Sequence, residues 1–392
     1  MPSRRQLLAT SGAALTGALA GCAGEPTPDD PPTPENGPDP EPDDHVFGAD
    51  GSWSSFGCNA ANNREVGDGE VPVDGVSERW RVPVGDFDRA EPAVADGRVF
   101  LLRGGEELVV YGTDDGEERW RVPARSRPLV RDDTVYVGGH DRLFAYRVSD
   151  GTERWRLELE TNAPVGTPAT HGGEWLLVPD GEYVHRVDAG RGRIDWSRRL
   201  FGRVRGPAAF YAGHSAVVAT DAAEVYAVGR DGTGHGRWEL PARPRAPPVT
   251  DRDGAFVACL DGKVYRLGLN ETPRFDVDWS AEVGWTAGLA ANSRLYAAGT
   301  HGLVAVDDSG TEAWRHDTGD WRHTAPALGR DTLFVGGDAL YAFDPTPSGG
   351  DGPALRFEQS FAGAVNAPVV DDGVVYVVAE TGEGQRHLLA LE

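Results

Sequence analysis

Lysine is almost absent from this chain of 392 residues. Lys263 is the only one, and all the other basic residues are arginines. Methionine occurs once and cysteine three times, at positions 22, 58 and 259. Three cysteines are too few for a disulfide-stabilised scaffold or for a zinc site with four cysteine ligands, so both classes are excluded.

Positive charge is also scarce relative to negative charge. The 38 basic residues face 62 acidic ones, which gives a net charge of −24. Such a surface cannot displace counterions from duplex phosphates, so no nucleic-acid partner is expected. Acid-rich, arginine-based composition suits a halophilic protein, because the Debye length falls to about 3 Å at 1 M salt and self-repulsion then costs little. The alternative is a high-GC genome, which favours arginine codons without salt adaptation.

The N-terminus predicts an exported, lipid-anchored protein. Arg4 and Arg5 form a twin-arginine pair, and an apolar run follows from Leu7 to Ala20. That run is shorter than the roughly 20 residues a membrane-spanning helix needs, so it indicates an export signal. The stretch Leu19-Ala20-Gly21-Cys22 resembles the lipobox of secreted lipoproteins, which implies lipidation at Cys22 and a location on the extracellular side of the cell membrane. The alternative is an ordinary signal with an incidental cysteine.

Three segments therefore divide the chain: a signal over 1–22, a tether over 23–45 and a folded domain over 46–392. The tether sequence, AGEPTPDDPPTPENGPDPEPDDH, has almost no apolar side chains and many prolines and carboxylates. It cannot bury a core, and its charges repel one another, so we predict an extended, disordered tether.

The folded domain is a series of repeats marked by aromatic residues 35 to 43 positions apart. The marks are Trp80, Trp120, Trp155, Trp196, Trp238, Trp279, Trp314 and Phe357. An Asp-Gly turn precedes most of them, as in Asp115-Gly116 and Asp150-Gly151, and short β-rich segments lie between the turns. Each unit therefore predicts four short strands, which is the length and composition of one propeller blade.

The two ends of the repeat region predict how the ring closes. The last unit stops at Leu388-Leu389-Ala390-Leu391, which matches a third strand, and Val76-Ser77-Glu78-Arg79-Trp80 supplies the missing fourth. Pairing them removes both open sheet edges. The predicted fold is all-β, an eight-bladed β-propeller of four-stranded blades closed by an N-terminal strand, and we expect a monomer.

These repeats resemble the pyrroloquinoline-quinone (PQQ)-like β-propeller family. The pattern Leu-Tyr-Ala-Leu-Asp-x-x-x-Gly-x-x-x-Trp is matched at 143–155 and 303–314, and residues 52–59 resemble the Trp-x-x-Phe-Gly segment that precedes such propellers. The chain is similar to secreted haloarchaeal members and to the lipoprotein propeller of the outer-membrane β-barrel assembly machine. A cell without an outer membrane could not use such a propeller to assemble outer-membrane β-barrels, so we do not expect that role for this chain. The resemblance implies that the eight marks dock between blades.

The same family includes quinoprotein dehydrogenases, which raises the question of catalysis. In those enzymes PQQ stacks on a disulfide between adjacent cysteines, beside a calcium ion held by Glu, Asn and Asp. This sequence has no adjacent cysteines and no motif that presents those ligands together. It also lacks a nucleophile elbow, a zinc-protease motif and a phosphate loop. We predict a non-catalytic binding or scaffold platform without cofactor or metal; the alternative is a PQQ-dependent oxidoreductase or a sensor derived from one.

Arginines recur in the loops that lead into the innermost strands. They are Arg125, Arg127, Arg203, Arg205, Arg243, Arg245 and Arg322, and Trp285, Trp321 and His323 lie in comparable loops. Alternate residues of an extended loop point the same way, so we hypothesise a cationic funnel with aromatic edges. It would bind an anionic peptide, glycan or small ligand, or an unidentified surface protein. The alternative is that these arginines form ion pairs with neighbouring acids, because exposed ion pairs are common. Candidate partners are Asp86, Asp88, Glu160 and Asp320.

Overall fold

The computed structural model describes residues 53–66, 70–85, 91–161, 163–211, 215–251, 253–269, 276–347 and 352–392. The predicted signal and tether, with Arg4, Arg5 and Cys22, lie outside these ranges. Every regular element in the described part is a β-strand. No helix there is long and apolar enough to cross a bilayer.

The strands group into eight blades in chain order. Two strands precede the repeats, β1 (Glu65–Val66) and β2 (Glu78–Val84). Blade 1 contains β3 (Ala93–Ala95), β4 (Arg98–Arg103), β5 (Glu107–Gly112) and β6 (Glu118–Pro123). Blade 2 contains β7 (Leu129–Arg131), β8 (Thr134–Gly138), β9 (Arg142–Arg147) and β10 (Glu153–Glu158). Blade 3 contains β11 (Trp175–Asp180), β12 (Tyr183–Asp188) and β13 (Arg193–Arg199). Blade 4 contains β14 (Ala209–Tyr211), β15 (Ser215–Ala219), β16 (Glu224–Val228) and β17 (Gly234–Glu239).

The second half continues the same order. Blade 5 contains β18 (Val249–Thr250), β19 (Gly254–Ala258), β20 (Lys263–Gly268) and β21 (Val277–Glu282). Blade 6 contains β22 (Thr286–Ala291), β23 (Leu295–Gly299), β24 (Gly302–Val306) and β25 (Glu312–His316). Blade 7 contains β26 (Ala327–Gly329), β27 (Thr332–Gly336), β28 (Ala339–Asp344) and β29 (Ala354–Ser360). Blade 8 contains β30 (Val369–Asp371), β31 (Val374–Gly382) and β32 (Gln385–Leu391), completed by β2.

The predicted eight-bladed propeller is confirmed, with two blades that differ in strand count. The innermost strands of several successive blades contact one another, and β30 of blade 8 contacts β3 of blade 1, so the ring is closed. In blade 3 the innermost strand is reduced to two isolated bridges, Val165 with Asp180 and Ala169 with Leu177. Blade 7 gains a fifth strand, because β1 pairs in parallel with β26.

Closure by the N-terminal strand is also confirmed. β2 pairs antiparallel with β32, with Trp80 opposite Ala390 and Val82 opposite Leu388. The backbone N–H of Ser77 donates to the Glu392 carbonyl at 2.7 Å, and the N–H of Glu392 donates back at 2.9 Å. The first and last strands of the ring therefore share one sheet.

Apolar layers between adjacent blades form the core. The second strands are buried on both faces, as in β8, β23 and β27, because blades stack on each side of them. Such strands are continuous apolar runs and do not alternate. One cluster joins Val110 of blade 1 to Val135 of blade 2, and equivalent clusters join later pairs.

Five of the marking tryptophans connect one blade to the next. The indole N–H groups donate to turn carbonyls of the following blade: Trp80 to Thr113, Trp120 to Val148, Trp155 to Ala189, Trp196 to Arg230 and Trp279 to Asp308. Each ring covers a turn glycine with φ between 63° and 82°, namely Gly116, Gly151, Gly192, Gly232 and Gly310. The left-handed backbone and the close ring both require glycine there.

Gly151→Ala tests this docking. The new Cβ would lie 2.7 Å from the Trp120 ring, so overpacking of about 1–3 kcal/mol adds to left-handed strain of about 1–2 kcal/mol. The control is Gly104→Ala, at φ 57° with no atom within 4 Å of its Cβ, which carries the strain alone. Denaturant unfolding followed by tryptophan fluorescence should rank Gly151→Ala clearly below Gly104→Ala. Equal losses would contradict the docking.

Candidate functional site

A buried N-terminal stretch, Trp53–Val66, lies inside the ring; we call it the hub segment. Its carbonyl groups accept hydrogen bonds from inner-strand N–H groups of six blades. The pairs are Trp53 with Val94, Ser54 with Val130, Ala60 with Phe210, Ala61 with Thr250, Asn63 with Ala291 and Arg64 with Leu328, at 2.7–2.9 Å. The hub segment therefore lies against the inner strands of six blades.

The sequence of the hub segment explains its irregular path. Gly57, Cys58, Asn62 and Arg64 all have positive φ, between 56° and 77°. A Cβ on Gly57 would meet the Asn62 backbone at 2.6 Å. The Asn62 side-chain amide donates to the carbonyls of Ala208, at 3.2 Å, and Pro248, at 3.1 Å, which ties blade 4 to blade 5. The segment is held by these bonds in a backbone conformation that non-glycine residues seldom adopt.

A buried charge triad joins the hub segment to the loops. Arg64 is 0% exposed, and its guanidinium contacts Glu91 at 2.7 Å and the carbonyls of Pro326 and Pro368 at 2.5 and 3.2 Å. The second Glu91 oxygen contacts Arg127 at 3.3 Å. Burial lowers the pKa of Arg127, which Glu91 partly offsets. Since an unpaired buried charge is costly, these three groups fix one another.

Two of the predicted arginine pairs occupy equivalent positions. The N–H of Arg205 donates to Ala219 and that of Arg245 to Ala258, each at 2.8 Å, and both acceptors are the last residues of second strands. Arg125 makes the same bond to Gly138 at 2.7 Å. Arg125, and not Arg127, is therefore the counterpart of Arg205 and Arg245.

Five of these arginines form no ion pair with any residue the structure describes. They are Arg203, Arg205, Arg243, Arg245 and Arg322, which we call the arginine mouth. The predicted partners Glu160 and Asp320 pair with none of them, and Asp86 and Asp88 lie outside the described ranges. Arg125 and Arg127 do pair, with Glu106 at 3.6 Å and Glu91 at 3.3 Å.

Within the arginine mouth two guanidinium groups lie close to one another. Arg245 donates to the backbone carbonyl of Arg322 at 3.3 Å and stacks over Trp285 at 5.5 Å. Burial lowers the pKa of Arg245, and the positive charge of Arg322 lowers it further. The Nε of Arg245, Thr324 Oγ1 and Asn366 Nδ2 are buried without a hydrogen-bond partner among the described residues. The arrangement can accept an anion.

Aromatic and apolar side chains border the arginine mouth. Trp285 is 37% exposed and its indole donates to the Leu260 carbonyl at 2.8 Å. Trp321 donates to Asn366 at 3.2 Å and meets His323 edge-on at 5.1 Å. Sequence reasoning missed Phe201, 67% exposed, because a single phenylalanine in a loop carries no pattern.

The residues at the axis do not match the quinone site that the family resemblance implies. Cys58 and Cys259 are both free and buried, and burial raises the pKa of both thiols. Among the residues described, no three His, Cys, Asp or Glu side chains are placed to hold a metal. The carbonyl groups of the hub segment are also engaged by the inner strands of six blades. The residues present therefore do not fit a quinone with its calcium ion.

Eight docked repeats around an N-terminal hub segment define a β-propeller of PQQ-like repeats. The family model described as outer membrane protein assembly factor BamB matches residues 70–171, 139–272 and 299–392. The chain belongs to this family. A search of curated proteins finds no match.

Several solved structures share the fold. BamB from Moraxella catarrhalis has a TM-score of 0.61 at 13% identity, over 80% of this chain and 99% of its own. Quinohemoprotein alcohol dehydrogenase from Comamonas testosteroni has a TM-score of 0.66 at 14% identity, over 87% and 80%. A europium-containing methanol dehydrogenase has a TM-score of 0.61 at 10% identity, over 86% and 90%. At these identities the similarity establishes the fold alone.

Asp371, beside the start of the hub segment, generates a pH prediction. Burial raises the pKa of the Asp371 carboxyl from 3.8 to about 7, although the backbone N–H of Trp53 donates a hydrogen bond to it. Because the folded state holds the proton of Asp371 more tightly than the unfolded state, Asp371 contributes its full stabilisation below about pH 4. This contribution is lost as the pH rises through about 7. Asp371→Asn should remove this loss and exceed wild type at pH 8 by on the order of 1–3 kcal/mol, measured by denaturant unfolding at several pH values.

The matched control is Asp150→Asn, whose effect has the opposite sign. Asp150 has a lowered pKa, because Thr152 donates hydrogen bonds to it. The ionised Asp150 therefore stabilises the fold above about pH 4, and this stabilisation is lost in acid. Asp150→Asn should accordingly not gain stability at pH 8. Identical pH profiles for wild type and Asp371→Asn would contradict the assignment.

Proposed function

We propose that this chain is an exported, lipid-anchored β-propeller that acts as a binding platform at the outer cell surface, with the arginine mouth as a non-catalytic binding face. Membership of a family described as an assembly factor supports the platform role. The twin-arginine pair Arg4-Arg5 and the lipobox-like Cys22 support export and anchoring.

The observation that carries the proposal is the set of unpaired arginines on an acidic protein. Elsewhere in the described part many arginines lie in ion pairs, such as Arg121 with Glu118 at 2.5 Å and Arg315 with Glu312 at 2.7 Å. None of the five guanidinium groups of the arginine mouth forms an ion pair with a described residue, and Arg245 is held in place by the Arg322 carbonyl and the Trp285 ring. Guanidinium groups bind carboxylates and phosphates through paired hydrogen bonds, and arginine and tryptophan dominate binding energy at protein interfaces.

The acidic body restricts how an anionic partner can be held. At low salt the net charge of −24 repels an anion at a distance, whereas near molar salt the field is screened within about 3 Å. Binding then depends on direct contacts with the arginines and with Trp285. We therefore expect capture of an acidic segment of a surface protein to persist in concentrated salt.

A triple variant, Arg203→Gln, Arg243→Gln and Arg322→Gln, tests the arginine mouth. With polyglutamate as the probe in molar NaCl, calorimetry of the full chain should show affinity reduced by about tenfold or more, since charge-assisted bonds are lost. The control triple, Arg121→Gln, Arg156→Gln and Arg191→Gln, removes exposed but paired arginines and should bind as wild type. Unchanged binding in the first triple, or equal loss in both, would refute the proposal.

A quinone-dependent oxidoreductase, or a sensor derived from one, is the second candidate. The similarity to quinohemoprotein alcohol dehydrogenase supports it at the level of the fold. Titration of the full chain with PQQ and calcium in molar salt, with the absorption spectrum followed, decides between the two. Saturable binding with dye-linked alcohol oxidation would replace the platform, whereas no heat and no spectral change would leave it standing.

A further inference from the structure

A cavity of about 800 Å³ lies between blades 2 and 3, outside the hub segment. Leu159, Ala163 and Ile194 contribute apolar wall, and Tyr183, His185 and Ser197 contribute polar wall. Charged side chains complete the lining: Glu158, Glu160, Glu182, Arg199 and Arg203, the last of which belongs to the arginine mouth. The loop from β10 to β11 borders it, where blade 3 lacks a regular innermost strand. The cavity has room for a small organic substrate.

Three side chains form a row across one face of blade 3. Asp180 ends β11, His185 lies in β12, and Ser197 lies directly opposite His185 in β13. Ser197 Oγ is 2.7 Å from His185 Nδ1, and His185 Nε2 is 3.3 Å from Asp180 Oδ2. Ser197 is exposed, His185 is buried, and Asp180 is fully buried. The row therefore runs from solvent into the protein.

The hydrogen-bond partners at the buried end of the row favour one tautomer of the His185 ring. Asp180 accepts a hydrogen bond from the Thr161 hydroxyl, and as a carboxylate it also accepts the Nε2–H of His185. That tautomer leaves Nδ1 without a proton, able to accept the hydroxyl proton of Ser197. A serine hydroxyl beside a histidine base oriented by a buried carboxylate is the arrangement of an activated nucleophile.

We propose that Ser197 is an acyl-accepting nucleophile for short-chain carboxylic esters, in a cavity that Arg203 of the arginine mouth also lines. Ser197 Oγ–H gives its proton to His185 Nδ1 as Oγ bonds to the ester carbonyl carbon. The alcohol leaves with that proton, and an acyl-serine remains. His185 then takes a proton from water, whose oxygen bonds to the acyl carbon and releases a carboxylic acid. His185 returns the proton to Ser197 Oγ as the acyl–oxygen bond breaks. No other reactant is needed.

Two other hydroxyl–histidine pairs in the described chain provide an internal comparison. Ser215 lies 3.5 Å from His235 Nδ1, and Thr381 lies 2.6 Å from His387 Nδ1. Neither histidine forms a hydrogen bond or ion pair with a carboxylate in the part of the chain that is described. His185 alone among the three has an acid on its second nitrogen, so reactivity should be confined to Ser197.

The experiment combines a fluorophosphonate probe with p-nitrophenyl acetate turnover on the full chain. The probe bonds through phosphorus to serine oxygen and releases fluoride, and tryptic mass spectrometry locates it. Wild type should carry one label, on Ser197, and release nitrophenol faster than the same chain with Ser197→Ala. Ser215→Ala should label and turn over as wild type. Circular dichroism establishes that each variant is folded.

Two further variants separate the roles of the remaining members. His185→Ala should slow labelling by about 100-fold or more, within the usual range for loss of a general base. Asp180→Asn, at a positioning residue, should lower the acylation rate constant and leave KM unchanged. An unlabelled Ser197 in the folded chain, full turnover by Ser197→Ala, or wild-type labelling by His185→Ala would overturn the proposal.

Discussion

The inner edges of the propeller need hydrogen-bond acceptors, and the hub segment provides them. A strand that faces the axis of a ring has N–H groups that no neighbouring strand can satisfy, and buried N–H groups are almost never left unpaired. Carbonyls from Trp53 to Arg64 meet this demand in six blades. The same segment also positions a charged loop residue, because Arg64 contacts Glu91 and Glu91 contacts Arg127.

Outside the hub, stability is distributed over repeated contacts. Each blade contributes apolar side chains to two layers, and in five blades an indole also hydrogen-bonds to a turn of the next blade. The rigid disc leaves its loops free to vary. That freedom explains why one set of loops can carry unpaired arginines while the outer strands of the same blades carry exposed ion pairs, which contribute little.

Sequence patterns predicted the periodic part of this molecule. The aromatic marks located eight blades, and the match between Val76–Trp80 and Leu388–Leu391 located the closure. Blade 3 departs from the pattern at its innermost strand, which is reduced to two isolated bridges. The arginine loops were found by their spacing. Whether these arginines form ion pairs with other described residues depends on distances in three dimensions, which the sequence does not give. The same is true of the row from Asp180 to Ser197. The hub segment could not be predicted because it is not part of a repeat.

Closure by the first strand has a consequence for biosynthesis. Ser77 and Glu392, whose backbones pair, are 315 positions apart in the chain. Contacts between such distant segments form late and slowly during folding. Until the ribosome has released the last strand, β2 has no partner and two sheet edges are open to aggregation. The fold therefore distinguishes a finished polypeptide from an incomplete one, since an interrupted product cannot close its ring.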